Sequence, residues 1–100
     1  MILFEWDEAK AKSNERKHGI TFEDAMQVFD DPFALATQDR IEGGERRWQT
    51  VGMVERMMIV TVAHTVREEG QDEIIRIISA RRATRKERIR YEQNRQENLG

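Results

Sequence analysis

Residues 57–81 read Met57-Met58-Ile59-Val60-Thr61-Val62-Ala63-His64-Thr65-Val66-Arg67, then Glu68-Glu69-Gly70-Gln71-Asp72, then Glu73-Ile74-Ile75-Arg76-Ile77-Ile78-Ser79-Ala80-Arg81. Two apolar runs rich in β-branched residues flank a short polar turn that contains a glycine. That is the pattern of two antiparallel strands. Alternate residues of a strand point to opposite faces. Met58, Val60, Val62, His64 and Val66 therefore share a face that should meet helices. Ile59, Thr61, Ala63, Thr65 and Arg67 share the other, which could stay open to a ligand. On this reading His64 is a satisfied core histidine, and a bulge would exchange the two faces. The second strand is apolar on both faces, as a central strand should be. Ile75 and Ile77 lie on one face, extended by Ser79 and Arg81. Ile74 and Ile78 lie on the other, interrupted by Arg76.

Working outward, Phe33–Arg40 and Arg46–Met53 flank the turn Glu42-Gly43-Gly44-Glu45 and read as a further hairpin. Val54-Glu55-Arg56 connects it tightly to Met57. On the N-terminal side, Leu3–Trp6 reads as a short strand. Asp7 caps a helix through Glu8–His18, which Gly19 stops. With only Ala9, Ala11 and Ser13 as small or apolar positions, this helix should lie on the surface. Thr21 caps a second helix, and Phe22, Ala25, Met26, Val28 and Phe29 supply its buried face. Asp30-Asp31-Pro32 ends it. Beyond Arg81, Thr84 and Glu87 form a capping box for a polar last helix, about Arg85 to Gln96, anchored by Ile89 and Tyr91. The predicted class is α+β, in the order β-α-α-β-β-β-β-α, with a mainly antiparallel sheet and helices packed on it. Residues 1–100 are read as a single domain with a polar C-terminal tail at about 93–100.

Composition narrows the chemistry. The chain of 100 residues has no cysteine, which excludes a disulfide scaffold, a zinc-thiolate site and a thiol nucleophile, and fits a reducing cytoplasm. The N-terminus has no signal-peptide pattern, and no run approaches the roughly 20 apolar residues of a membrane helix. There are two histidines, and Glu15 with His18 is the only local pair at helical ligand spacing. No metal and no cofactor are expected. Gly43-Gly44 is not followed by a helix, so it is no phosphate loop.

Charge is unevenly placed. Residues 1–75 hold 9 Lys+Arg against 16 Asp+Glu, a net −7, while residues 76–100 hold 8 against 3, a net +5. Arg81, Arg82, Arg85, Lys86, Arg88 and Arg90 crowd the start of the last helix. Cations there oppose the helix dipole, while a helix start attracts anions. The cluster therefore reads as an anion-binding surface. Glu87 and Tyr91 share a helix face, and Trp48 and Tyr91 are candidates for base stacking. A salt-bridged terminal helix is the bland alternative. Arg81 and Tyr91 are expected to share an exposed basic groove, with Arg67 on the adjoining strand.

Three blocks resemble the BrnT toxins of type II toxin–antitoxin systems, whose fold is similar to that of the RelE-like ribonucleases. They are Phe4-Glu5-Trp6-Asp7 with Lys10 and Asn14; Lys17-His18-Gly19-Ile20 with Phe22, Ala25, Phe29 and Asp31-Pro32; and Arg76 through Thr84 with Glu87 and Tyr91. Thr65 and Arg67 also fit. The resemblance covers about residues 2–92. It implies a ribonuclease that blocks translation; together with the lack of a metal-ligand cluster in the sequence, the expectation is a metal-independent endoribonuclease. The antitoxin would be a BrnA-like ribbon-helix-helix protein, operator DNA would be bound only through it, and higher-order assembly of the pair is allowed. Lys17, His18, Arg67, Arg81, Glu87 and Tyr91 are the catalytic candidates; Lys17, His18 and Glu87 compete as general base. Arg76, Arg82, Arg85 and Arg88 are the RNA-binding candidates. The alternatives are a non-catalytic RNA-binding or interaction module, and a basic end that docks an acidic partner.

Overall fold

The computed structural model describes residues 1–99. Strand β1 (Ile2–Glu5) leads into helix α1 (Glu8–His18), a short helix α2 (Phe22–Ala25) and a 3-10 turn (Met26–Asp30). Strands β2 (Leu35–Glu42), β3 (Glu45–Val54), β4 (Met58–Glu69) and β5 (Asp72–Arg82) follow, and helix α3 (Arg85–Leu99) comes last. The five strands form one sheet in the order β1-β5-β4-β3-β2. Every pair is antiparallel except β1 with β5. The α+β class and element order therefore hold. Position 100, the end of the expected tail, lies outside the described residues, and α3 continues through most of that tail.

Local chemistry accounts for the helix ends. The Asp7 carboxylate accepts from the Lys10 amide, and Gly19 at φ 71° closes α1. Thr21 caps α2 by accepting from the Asp24 amide. The expected single helix from Phe22 to Phe29 is instead one α turn followed by a 3-10 turn. The tighter winding carries the chain over β3, where it touches closely. A Cβ added at Gly52 would sit 2.9 Å from Val28 Cγ1 and 3.1 Å from its carbonyl oxygen. Only glycine allows that approach without displacement.

The core lies between one face of the sheet and the α1, α2 and 3-10 segments. Phe22, Ala25 and Val28 meet Val54, Val60, Val62, Ile75, Ile77 and Ala80 there, all buried. Asn14 stitches α1 to β5. Its amide donates to the carbonyls of Ile20 (3.1 Å) and Ala80 (2.8 Å), and its oxygen accepts from the Ala80 amide at 3.1 Å. His64 is buried on this face, with its Nε2 2.7 Å from Thr50 Oγ1 and its ring edge-on to Phe29 at 4.9 Å. Burial pushes its pKa below the ordinary histidine value. Val66, assigned to the same face, is about one-third exposed, at 37%.

A β-bulge corrects the reading of β5. Ala63 pairs with Ser79, but His64 pairs with Ile77, leaving Ile78 as the extra residue. The bulge reverses the alternation beyond it. Ala80 and Arg82 continue the core face of Ile75 and Ile77. Arg81 moves to the opposite face, directly across from Thr61.

Candidate nucleic-acid interface

The face carrying Thr61, Ala63, Thr65, Arg67 and Arg81 is not open along its length, because α3 crosses one end of it. Polar latches hold the helix. Glu87 Oε1 accepts from Arg81 (2.8 Å), Thr61 Oγ1 (3.0 Å) and the Thr84 amide (2.8 Å), while Oε2 accepts a second Arg81 contact at 3.2 Å. Thr84 Oγ1 accepts from the Glu87 amide, completing the capping box. Arg81, with help from Thr84 and Thr61, lowers the Glu87 pKa to about 2. Glu87 in turn raises that of Arg81.

Tyr91 departs from its expected place. It is 1% exposed, and its hydroxyl donates to Asp31 Oδ2 at 2.6 Å. Burial, then Asp31, raises its pKa. Asp31 also accepts from the amides of Phe33 (2.9 Å) and Met53 (2.8 Å). Asn94 adds a bond to the Phe33 carbonyl at 2.9 Å. The sequence marked Asp31 as a helix stop and as part of a family-like block; its hub role depends on partners 22 and 60 positions away in the chain.

The expected groove uniting Arg81, an exposed Tyr91 and Arg67 is therefore absent among the described residues. Arg67 is opposite Ile74 and Arg81 opposite Thr61. That is six positions along β4, about 20 Å at 3.3 Å per residue. Arg67 is bound bidentately by Glu5 (2.8 and 3.0 Å) and by Glu69 (2.8 Å), which raise its pKa. Arg76 is exposed beside Glu5.

What the structure does bring together is a basic rim where β5 runs into α3. Arg82, Arg85, Lys86 and Arg88 are exposed there. Among the described residues none of them makes a salt bridge. Lys17 and His18 lie one helical turn beyond Asn14, which bonds Ala80. That places them at the end of α1 on the core side of β5, the side of Arg82 and not of Arg81 and Glu87. Lys17 is exposed and His18 half-buried. Trp48 is half-buried across from His64 on the core face. No group of three or more His, Cys, Asp or Glu side chains is arranged to hold a metal among the described residues, and no described helix is long and apolar enough to cross a membrane.

Comparison with known proteins bears on the family and the fold. A search of curated proteins found no match. The crystal structure of the Brucella abortus ribonuclease toxin BrnT is similar to this chain, with a TM-score of 0.64 and 26% identity, over 85% of this chain and 99% of that one. The profile of the family described as "Ribonuclease toxin, BrnT, of type II toxin-antitoxin system" matches residues 6–87. The chain belongs to the BrnT family of ribonuclease toxins of type II toxin–antitoxin systems.

Proposed function

We propose that the chain cuts single-stranded RNA in the cytoplasm without a metal ion, using the RNA's own 2′-hydroxyl. A base takes the 2′-OH proton and the oxygen attacks the adjacent phosphorus. The P–O5′ bond breaks, and the leaving oxygen gains a proton. The products are a 2′,3′-cyclic phosphate and a 5′-hydroxyl. The observation that carries the reading is the rim of exposed cations at the β5–α3 junction in a chain of a ribonuclease family. Arg82, Arg85 and Arg88 hold the backbone through salt-sensitive contacts. Arg76 extends the same function along β5.

The roles of the catalytic candidates follow from their partners. Glu87 is an ionised carboxylate already engaged by four contacts and held at about 2, a poor base at neutral pH. Tyr91 is a buried, protonated phenol. Both act as positioning residues: Glu87 fixes Arg81, and Tyr91 fixes α3. Arg81 keeps donors beyond those given to Glu87 and stabilises the developing phosphorane charge. Arg67, about 20 Å along β4 from Arg81 and shared between Glu5 and Glu69, lies too far away to meet the same phosphate. Lys17 and His18 remain as bases on the Arg82 side of the rim.

A type II toxin is neutralised by a protein antitoxin. The proposed antitoxin is a BrnA-like ribbon-helix-helix protein, which carries the pair to operator DNA and supports higher-order assembly. Expression of the chain alone arrests growth on this reading. Purified protein cuts RNA equally with and without EDTA, leaving cyclic-phosphate ends. Loss of cutting in EDTA with rescue by magnesium overturns the metal-free step. Tight RNA binding with no cutting under either condition makes the chain a non-catalytic binding module.

A further inference from the structure

A groove of about 780 Å³ opens between the 3-10 turn, the β3–β4 turn and the second half of α3. Its lining includes the cations Arg56 and Arg95, the carboxylates Asp30 and Glu55, and Pro32 and Phe33 as an apolar surface. We propose that it is a base-reading subsite that holds an unstacked guanine of single-stranded RNA. The inference rests on the ribonuclease reading for its substrate class.

Charge decides against a phosphate. With Asp31 included, the lining has three carboxylates against two guanidinium groups, so a phosphate entering it meets net repulsion. A neutral heterocycle with donors and acceptors on one edge suits such a lining. Asp31 is saturated by Tyr91, Phe33 and Met53, and Glu55 Oε1 takes the Gln27 amide at 2.7 Å. Asp30 is exposed and has no side-chain partner among the described residues. Among the bases, guanine places two adjacent donors, N1–H and N2–H, where a carboxylate accepts both. Its O6 and N7 are the acceptors that arginine prefers. Phe33 is half-exposed and Pro32 exposed, offering a surface for the ring.

The β3–β4 turn supplies an independent observation. Glu55 and Arg56 have φ of 55° and 57°. Successive positive φ angles in a hairpin turn favour Asn and Gly, and other residues are strained there. Gln27 braces the turn from both sides, donating to Glu55 Oε1 and accepting from the Glu55 amide at 2.9 Å. An arginine where glycine would sit without strain points to work for its guanidinium at the groove it lines.

The test uses the full chain and 2′-fluoro RNA oligonucleotides, which lack the attacking hydroxyl. Binding is read by fluorescence anisotropy on sequences with one guanine or with adenine in its place. The wild type prefers guanine by about tenfold or more, the range of one bidentate base contact. Asp30→Asn and Arg95→Gln each collapse that preference. Arg56→Gly weakens guanine binding while raising Tm, a combination that a merely structural residue does not produce. Equal binding of the two oligonucleotides by the wild type overturns the proposal, as does a preference that survives all three variants. Loss of antitoxin neutralisation with RNA binding unchanged overturns it too, making the groove a protein-docking surface. Cutting of the matching ribo-oligonucleotides is scored separately. Guanine preference without cutting sinks the ribonuclease reading alone, and cutting without guanine preference sinks the subsite alone.

Discussion

The Tyr91 hydroxyl donates to Asp31 Oδ2 across 2.6 Å, joining the middle of the last helix to the end of the 3-10 turn 60 residues earlier. A buried phenol bonded to a carboxylate is a charge-assisted contact. Tyr91→Phe keeps the ring and removes that one donor. It should cost about 1.5–3 kcal/mol in urea unfolding. An unchanged midpoint would show that water replaces the hydroxyl at no loss.

Glu87 ties three elements together, so its removal should be felt in stability before activity. Its pKa is held at about 2 by Arg81, Thr84 and Thr61, below the usual 4.5. A depressed carboxylate stabilises the fold fully above its unfolded pKa. That contribution fades as pH falls from about 4.5 towards 2. Glu87→Gln should flatten this part of the pH–stability curve. At neutral pH it should cost about 1–2 kcal/mol, allowing for solvent screening at the partly exposed Arg81. A curve that keeps the wild-type slope would remove Glu87 as its source.

His64 gives a second pH window with the same sign. Burial lowers its pKa below 6.5, so the folded state takes up a proton less readily than the unfolded chain. Stability is complete above about 6.5 and declines as pH drops towards the folded-state pKa. Urea midpoints at pH 7.5 and 5.5 should fall apart for the wild type and converge for His64→Gln.

Gly52 sits where β3 passes under Val28. Gly52→Ala should overpack this contact and cost about 1–3 kcal/mol, measured as a lower Tm with unchanged secondary structure. A neutral or raised Tm would mean the 3-10 turn moves aside freely.

Arg88 and Arg81 should separate binding from scaffold. Arg88 is exposed and makes no salt bridge among the described residues, so Arg88→Ala should leave Tm alone. For a single phosphate contact, it should reduce the slope of log K against log salt by about 0.7 for single-stranded RNA. Arg81→Ala strands the partly buried Glu87, so Tm and RNA cutting should fall together. An unaltered Tm would place Arg81 outside the latch.

The strands, caps and basic end were readable because each depends on neighbours in sequence. Asp7, Gly19, Thr21 and the Thr84–Glu87 box all act within a few residues. The alternation of Val60, Val62 and His64 reports one buried face directly. The place of Arg81 was not readable, because one bulged residue at Ile78 reverses the alternation and leaves no local mark. Tyr91 was read both as an anchor of α3 and as a wall of an exposed groove. The anchor reading holds, while Ile89, the other expected anchor, is exposed. The carboxylate that takes the Tyr91 hydroxyl out of the groove lies in another element. Arg67 looked free for the same reason, since Glu5 stands on a strand two places away in the sheet. The groove at Arg56 and Arg95 joins segments that composition treats as unrelated.

The parallel pairing of β1 with β5 sets a timetable for synthesis. Ile2 lies beside Glu73 and Phe4 beside Ile75, so β1 has no partner until some 70 further residues are made. At ribosomal rates of about 5–20 residues per second, that wait is on the order of 4–14 s. During it Phe4 lacks its β5 neighbour Ile75, and α1 lacks the Ala80 backbone that Asn14 grips. Strand β1 therefore joins the sheet only after β5 has emerged.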